Sequence, residues 1–268
     1  MKRKKLKIRR ALERLKKNAA MIPRSEDNME AIHQFRVAYK KMRAILRLCH
    51  TKHAKKTIKI PAALRDIYNK AGKVRKFQLY YSSVLPHLNK RNRYLFELIK
   101  SIQPLTQQLD KVVSKVDFPK AIKSITRRAP QRVSNKIVRK FIRRKAKAVR
   151  SVLAQTVISD RKLHSVKKDL KDILYNANLF SFALPKRLKT VGITDEKGLK
   201  EFTDLLNDHQ DYVDGINILR SNSFSNLTDK NKAALHNILA QWEQRKRLLA
   251  QRIQNRKIIL LQTQDALP

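Results

Sequence analysis

Three observations predict an all-α fold for this chain of 268 residues. It contains only 4 glycines and 8 prolines, so turn formers are scarce. Leu, Lys, Arg, Ala and Gln, all good helix formers, are abundant. Apolar residues return every three or four positions along most of the chain, the period of a single helix face. A hydrophobic fraction of 42% supplies a genuine core, which excludes a disordered basic tail.

The elements follow in order. Lys2 to about Met21 reads as a first helix with Ile8, Leu12, Leu15, Ala19 and Ile22 inward, ended by Pro23. Asp27 with Glu30 three residues later matches a capping box and opens the second helix. On this helix, in "AIHQFRVAYKKMRAILRLC", Ile32, Phe35, Tyr39, Met42 and Leu46 make a core stripe. His33, Arg36, Lys40, Arg43 and Arg47 make a second stripe, about 100° further round. Like charges at these spacings repel and cost helix stability, so the row implies an anion.

Pro61 starts a third helix to about Val84, with Leu64, Ile67, Ala71, Val74 and Leu79 inward, and Pro86 breaks it. A fourth is expected from His87 to about Val116, kinked at Pro104. The Pro-flanked "DFPKAIKSITRRAPQR" reads as a connector, with residues 118–130 linking a half over 1–117 to a half over 131–268. The fifth helix is expected over 131–158, with Val133, Ile137, Phe141 and Ala148 inward, and the sixth from an Asp160 cap to Phe180. After a loop marked by Pro185 and Gly192, the seventh runs from Asp195 to about Leu219. Beyond the Ser/Asn-rich "RSNSFSNLTDKN", Thr228 caps the last helix, which runs to about Gln262 with Trp242 in the core.

The halves repeat each other. "HQFRVAYKKMR" from His33 aligns with "HSVKKDLKDIL" from His164, which sets His33, Arg36 and Lys40 on His164, Lys167 and Lys171. At nearly the same offset, "LRDIYNKAGKVRKF" from Leu64 aligns with "LKEFTDLLNDHQDY" from Leu199. A histidine-plus-cation helix at the second position of two four-helix units is the mark of a duplicated bundle.

Charge points to the partner. Lys and Arg number 63 against 21 Asp and Glu, a formal net charge of +42. The sign is also segregated: no acid occurs from Ala31 to Arg65 or from Phe118 to Ser159. Self-repulsion on that scale is relieved by a polyanion. The single cysteine, Cys49, excludes an internal disulfide and fits a reducing compartment. "MKRKKLKIRR" lacks the apolar segment of a secretory signal, and no run approaches the roughly 20 apolar residues of a membrane span, so a cytoplasmic protein is expected. No G-x-x-x-x-G-K, G-x-S-x-G or H-E-x-x-H motif occurs. His50 and His53 lack a neighbouring carboxylate, a weak metal signal.

The pattern H-x-x-R-V-x-x-K-K-x-R from His33 to Arg43, with H-x-x-K-K-x-x-K from His164 to Lys171, resembles the CHAD family, the conserved histidine α-helical domain. The resemblance covers nearly the whole chain. It implies two four-helix bundles related by a pseudo-twofold, a basic central groove or pore, and binding of inorganic polyphosphate without catalysis. The sequence departs from the family pattern at Leu174, where an arginine is usual, and at Arg75-Lys76, where Arg-Asp is common; no companion triphosphate-tunnel domain is expected.

The candidate polyphosphate-binding residues are Lys5, Arg9 and Arg10 of the first helix, His33, Arg36, Lys40, Lys41 and Arg43 of the second, and Arg75 of the third. Arg132, Lys136, Arg139, Lys140, Arg143 and Lys147 of the fifth helix join them, as do His164, Lys167, Lys168 and Lys171 of the sixth. Neighbouring cations should lower the pKa of both motif histidines. No catalytic residue, metal or cofactor is expected, and targeting to polyphosphate granules is. Nucleic acid is the alternative ligand, but Phe35, Tyr39 and Phe141 fall in the apolar register, leaving no stacking platform for bases. A metal-dependent phosphohydrolase built on Glu201, Asp204, Asp208 and Asp211 is the remaining reading, with pairing to the basic helices as the simpler use of those acids.

Overall fold

The computed structural model describes residues 3–5, 8–25, 28–50, 58–89, 92–181, 184, 188–189, 193–221 and 227–264, with backbone alone for 3–5 and 256–264. The fold is all-α among these residues apart from one short two-stranded ribbon. Lys2, Asp27, His53, Pro185 and Gly192 lie outside the described residues, so the expectations placed on them have no structural counterpart.

The helices are α1 (Ile8–Met21), α2 (Asn28–Cys49), α3 (Ala62–Val84), α4 (Arg93–Ser114), α5 (Phe118–Arg128), α6 (Asn135–Leu153), α7 (Asp160–Phe180), α8 (Glu196–Ser221) and α9 (Asp229–Gln264). Two strands, β1 (Arg3–Lys5) and β2 (Arg132–Ser134), pair with each other. The chain divides into two compact units, a first made of α1 to α5 with the start of α9, and a second made of α6 to α8 with the rest of α9.

In the first unit α1 packs on α2 and α5, α2 on α3, and α3 on α4. The periodic stripes form its core: Ile8, Leu12, Leu15, Ala19 and Ile22, then Ile32, Phe35, Tyr39, Met42 and Leu46, then Leu64, Ile67, Ala71 and Val74 are all buried. Leu79 is half-buried. Pro23 and Pro86 each sit in a 3-10 turn that ends a helix. The fourth helix starts later than expected, at Arg93, because Asn92 caps it, accepting from the Tyr94 amide at 2.9 Å. Its side-chain amide donates to Asn231 at 2.8 Å, which ties the start of α9 to the same unit. Helix α4 then runs through Pro104 without a break.

The basic run before Ile8 is not helical where it is described. Arg3–Lys5 is strand, and α1 begins at Ile8, where the apolar repeat itself begins. The supposed connector is largely helix: α5 opens on Asp117, which accepts from the Lys120 amide at 2.8 Å, with Pro119 in its first turn. A proline there starts a helix rather than ending one. Phe118, Ala121, Ile122 and Ile125 supply its buried face.

In the second unit α6 packs on α7, and α7 on α8. Helix α6 is shorter than expected because Ser134 caps it, accepting from the Ile137 amide at 3.4 Å. Arg132 therefore belongs to β2 and not to the stripe of a fifth helix. The buried face of α6 is Val138, Phe141, Ile142, Ala146 and Val149. Of the expected inward set, Val133 and Phe141 are buried, Ile137 is half-buried and Ala148 exposed, so the face extends round to Val138, Ile142 and Val149. Ser159, not Asp160, caps α7. Asp195 caps α8, accepting from the Gly198 amide at 2.6 Å.

Trp242 is core, as its position on α9 implies. It lies so close to α8 that a Cβ on Gly215 would sit 2.8 Å from its Cζ3. The ring is buried and cannot swing aside, so Gly215→Ala is expected to destabilise by about 1–2 kcal/mol despite the better helix propensity of alanine. A urea midpoint unchanged or raised in the variant would contradict this packing.

Candidate functional site

The cationic stripe of α2 lies along α3 in the first unit, and the arrangement is built on tyrosines. Tyr39 and Tyr68 stack with ring centroids 4.2 Å apart. The Arg36 guanidinium lies 4.7 Å from the Tyr68 centroid, and that of Arg43 lies 5.3 Å from Tyr68 and 5.9 Å from Tyr39. Arg36 also donates to the Tyr68 carbonyl at 3.1 Å. A Cβ on residue 72 would come within 2.5 Å of Arg36 Nη1, so Gly72 leaves the space that this guanidinium occupies. Ring faces orient both arginines, and the Tyr68 carbonyl holds Arg36 in addition. Arg75 of α3 donates to the Met29 carbonyl at 3.4 Å. Lys40 is half-buried, and Lys41 and His33 are exposed.

The His33 imidazole is held below its usual pKa, first by partial burial and then by Arg75, with Lys40 and Arg36 adding to the effect and Glu30 opposing it. Burial, rather than the neighbouring charges alone, is thus the leading cause. Cys49 closes the buried stripe of the same helix, and burial pushes its thiol up to about 12, which leaves it unreactive.

Helix α6 presents the other dense set of cations. It carries eight basic residues and no acidic one. Lys136, Arg139, Lys140, Arg143, Arg144, Lys147 and Arg150 are all exposed. Lys145 alone turns toward α7, where it pairs with Asp169 and lies 3.3 Å from Asp172. Arg9 and Arg10 are exposed on α1, Arg132 is exposed on β2, and the side chain of Lys5 lies outside what is described.

The second motif helix, α7, meets α8 in the register in which α2 meets α3. His164 Nδ1 and Gln210 Oε1 are 2.8 Å apart, and Gln210 is the residue aligned with Arg75. Lys171 donates to Asn207 at 2.8 Å, and Asn207 aligns with Gly72. The surroundings nevertheless differ. Burial first, then Lys171, lowers Lys167 to about 8, while Asp211 and Asp214 pull it back up. Partial burial raises the Asp211 carboxyl and Lys167 opposes the rise. Burial and Asp204 raise Asp208, and Arg252 opposes them. His164 is lowered by burial, against its bond to Gln210. Lys168 is exposed. The acid stripe of α8 therefore sits in the field of lysines and an arginine. Among the described residues no group of three or more His, Cys, Asp and Glu is placed to hold a metal ion.

Two clusters gave no signal in the sequence. One is the Lys145–Asp169–Asp172 group; the other is His209, buried with Nε2 3.5 Å from Asp160, which Lys246 bonds at 2.8 Å. Burial keeps His209 below its usual pKa. The Arg75–Gln210 correspondence, by contrast, was available from the alignment of the halves.

The CHAD-domain profile matches residues 7–220. This chain belongs to the CHAD family. The crystal structure of the CHAD domain from the plant Ricinus communis is similar to it, with a TM-score of 0.63 and 16% identity, over 97% of this chain and 85% of that one. At that identity the likeness shows the fold alone. No curated protein matches the chain. The match places the histidine-plus-cation helices α2 and α7, with their partners α3 and α8, inside a CHAD domain. No helix among the described residues is long and apolar enough to cross a membrane.

Proposed function

We propose that this CHAD protein is a non-enzymatic binder of inorganic polyphosphate, cytoplasmic and drawn to polyphosphate granules. The observation that carries the reading is the α2–α3 pair, with ten basic and two acidic residues, whose guanidiniums are oriented by tyrosines. The acid-free face of α6 supports it. Family membership supports it as well. Arginine offers a planar fork for phosphate oxygens and lysine a mobile point charge, a mixture suited to a flexible polymer without fixed register. Binding is driven by counterion release and is steeply salt-dependent. Nucleic acid is the weaker ligand, because Phe35, Tyr39 and Phe141 are buried and unavailable for stacking.

The test is calorimetric titration against phosphate polymers of graded length. Affinity should rise with length, since each added phosphate meets a nearby cation, and orthophosphate should barely bind. Excess polyphosphate should displace RNA, and excess RNA should not displace polyphosphate. Equal binding of short and long chains would sink the reading, and shortened chains after incubation with Mg²⁺ would favour the phosphohydrolase instead.

The same titration has a protonic signature. His33 is lowered in the free protein, so it is neutral at pH 7. A bound phosphate raises it, and binding then takes up a proton. Affinity is expected to increase as pH falls from neutrality toward about 6. The heat measured in two buffers of different ionisation enthalpy should differ, and His33→Ala should abolish the difference. The sign for folding is opposite: a lowered histidine costs nothing above its unfolded value, about 6.5, and stability falls as pH drops from there through the lower folded value.

A further inference from the structure

The two motif helix pairs occupy the same register but carry opposite charge balances. The α2–α3 pair has ten basic and two acidic residues, whereas the α7–α8 pair has eight basic and nine acidic. The exchange is concentrated at aligned positions: Lys73, Arg75 and Lys76 of α3 stand where α8 has Asp208, Gln210 and Asp211. Of the α7 groups that align with the α2 stripe, His164 and Lys171 are bonded by the α8 side chains Gln210 and Asn207, and Lys167 lies near the α8 carboxylates Asp211 and Asp214. A phosphate chain approaching this seam would have to displace those partners and meet carboxylates, a repulsion the α2–α3 seam does not impose on the same scale.

We infer that the anion face of the first unit has no working counterpart on α7–α8, and that the second helix pair is a self-neutralised copy excluded from the polymer. This rests on the polyphosphate reading above. It removes His164, Lys167 and Lys171 from the binding set and leaves α6 as the cationic helix of the second unit.

The matched substitutions Lys40→Met and Lys171→Met test it, since both lysines are half-buried at aligned positions. Long-chain polyphosphate is titrated at several salt concentrations into the full chain and each variant, with circular dichroism confirming the fold. Lys40→Met should weaken binding about five- to tenfold and lower the salt slope by about 0.7. Lys171→Met should stay within about twofold with the slope unchanged. Asp208→Asn with Asp211→Asn should tighten binding about threefold, because it removes charge that repels the polymer. Equal losses for Lys40→Met and Lys171→Met, with binding otherwise intact, would overturn the inference alone. Absence of binding by the unaltered chain would overturn both it and the polyphosphate reading.

Discussion

Replacing Arg36, Lys40 and Arg75 together with glutamine is expected to weaken binding of long-chain polyphosphate by about a hundredfold. The three side chains belong to one seam: Arg36 is held over Tyr68, Arg75 bonds the Met29 carbonyl at the start of α2, and Lys40 lies one turn further along the stripe. Charge-assisted contacts to phosphate contribute roughly 1.5–3 kcal/mol each in a fixed geometry. A flexible polymer can shift to neighbouring cations, so about 1 kcal/mol per residue is a fairer figure here, and 1.4 kcal/mol corresponds to a tenfold change. The slope of log affinity against log salt should fall by about two, which a purely structural loss would not produce. The buried core stripe of α2 is untouched, and glutamine is a fair helix former, so the fold should persist. A variant that is folded, binds within twofold of the parent and keeps the parent's salt slope would show that this seam is not where the polymer sits.

Lys145→Met should destabilise the protein by about 3 kcal/mol, the low end of the cost of breaking a buried ion pair. The lysine is the cation of α6 that faces inward, with 19% of its side chain exposed, and it is shared by Asp169 and Asp172. The Asp172 side chain is only 5% exposed, so losing the ammonium leaves a carboxylate charge where water reaches it poorly. The low end applies because Asp169 and Lys145 retain some solvent contact. A fall in Tm of roughly 10 °C would follow for a chain of this size. Adding Asp169→Asn and Asp172→Asn should restore most of the loss, since it takes the carboxylate charges out of a site that water reaches poorly and leaves hydrogen-bonding groups. A single variant as stable as the parent would mean that the pair contributes nothing net, and a triple variant no better than the single would point to packing of the lysine stem instead.

Much of this was legible in the chain. The apolar stripes of α1 and α2, and that of α3 as far as Val74, were readable residue by residue because helix periodicity and side-chain hydrophobicity are local properties. The same holds for the acid-free runs and for the repeated histidine helix. Failures came where a local cue has two meanings. Pro119 can end a helix or start one, and the Asp117 cap with the buried face of α5 decided for the start. The basic run at the beginning of the chain gave way to strand pairing with Arg132–Ser134, a contact between residues far apart in sequence.

By itself the sequence settled the helical class, the family motif and the surplus of positive charge, because these depend on composition and on spacing within one helix. Only the tertiary structure decided which cations are spoken for. Lys145 is neutralised by α7, Lys171 is bonded by α8 and Lys167 lies near its carboxylates, and Arg36 and Arg43 are set over tyrosine rings. The reason is electrostatic: a charge is compensated by whatever packing brings within a few ångströms of it, and those neighbours lie on other helices.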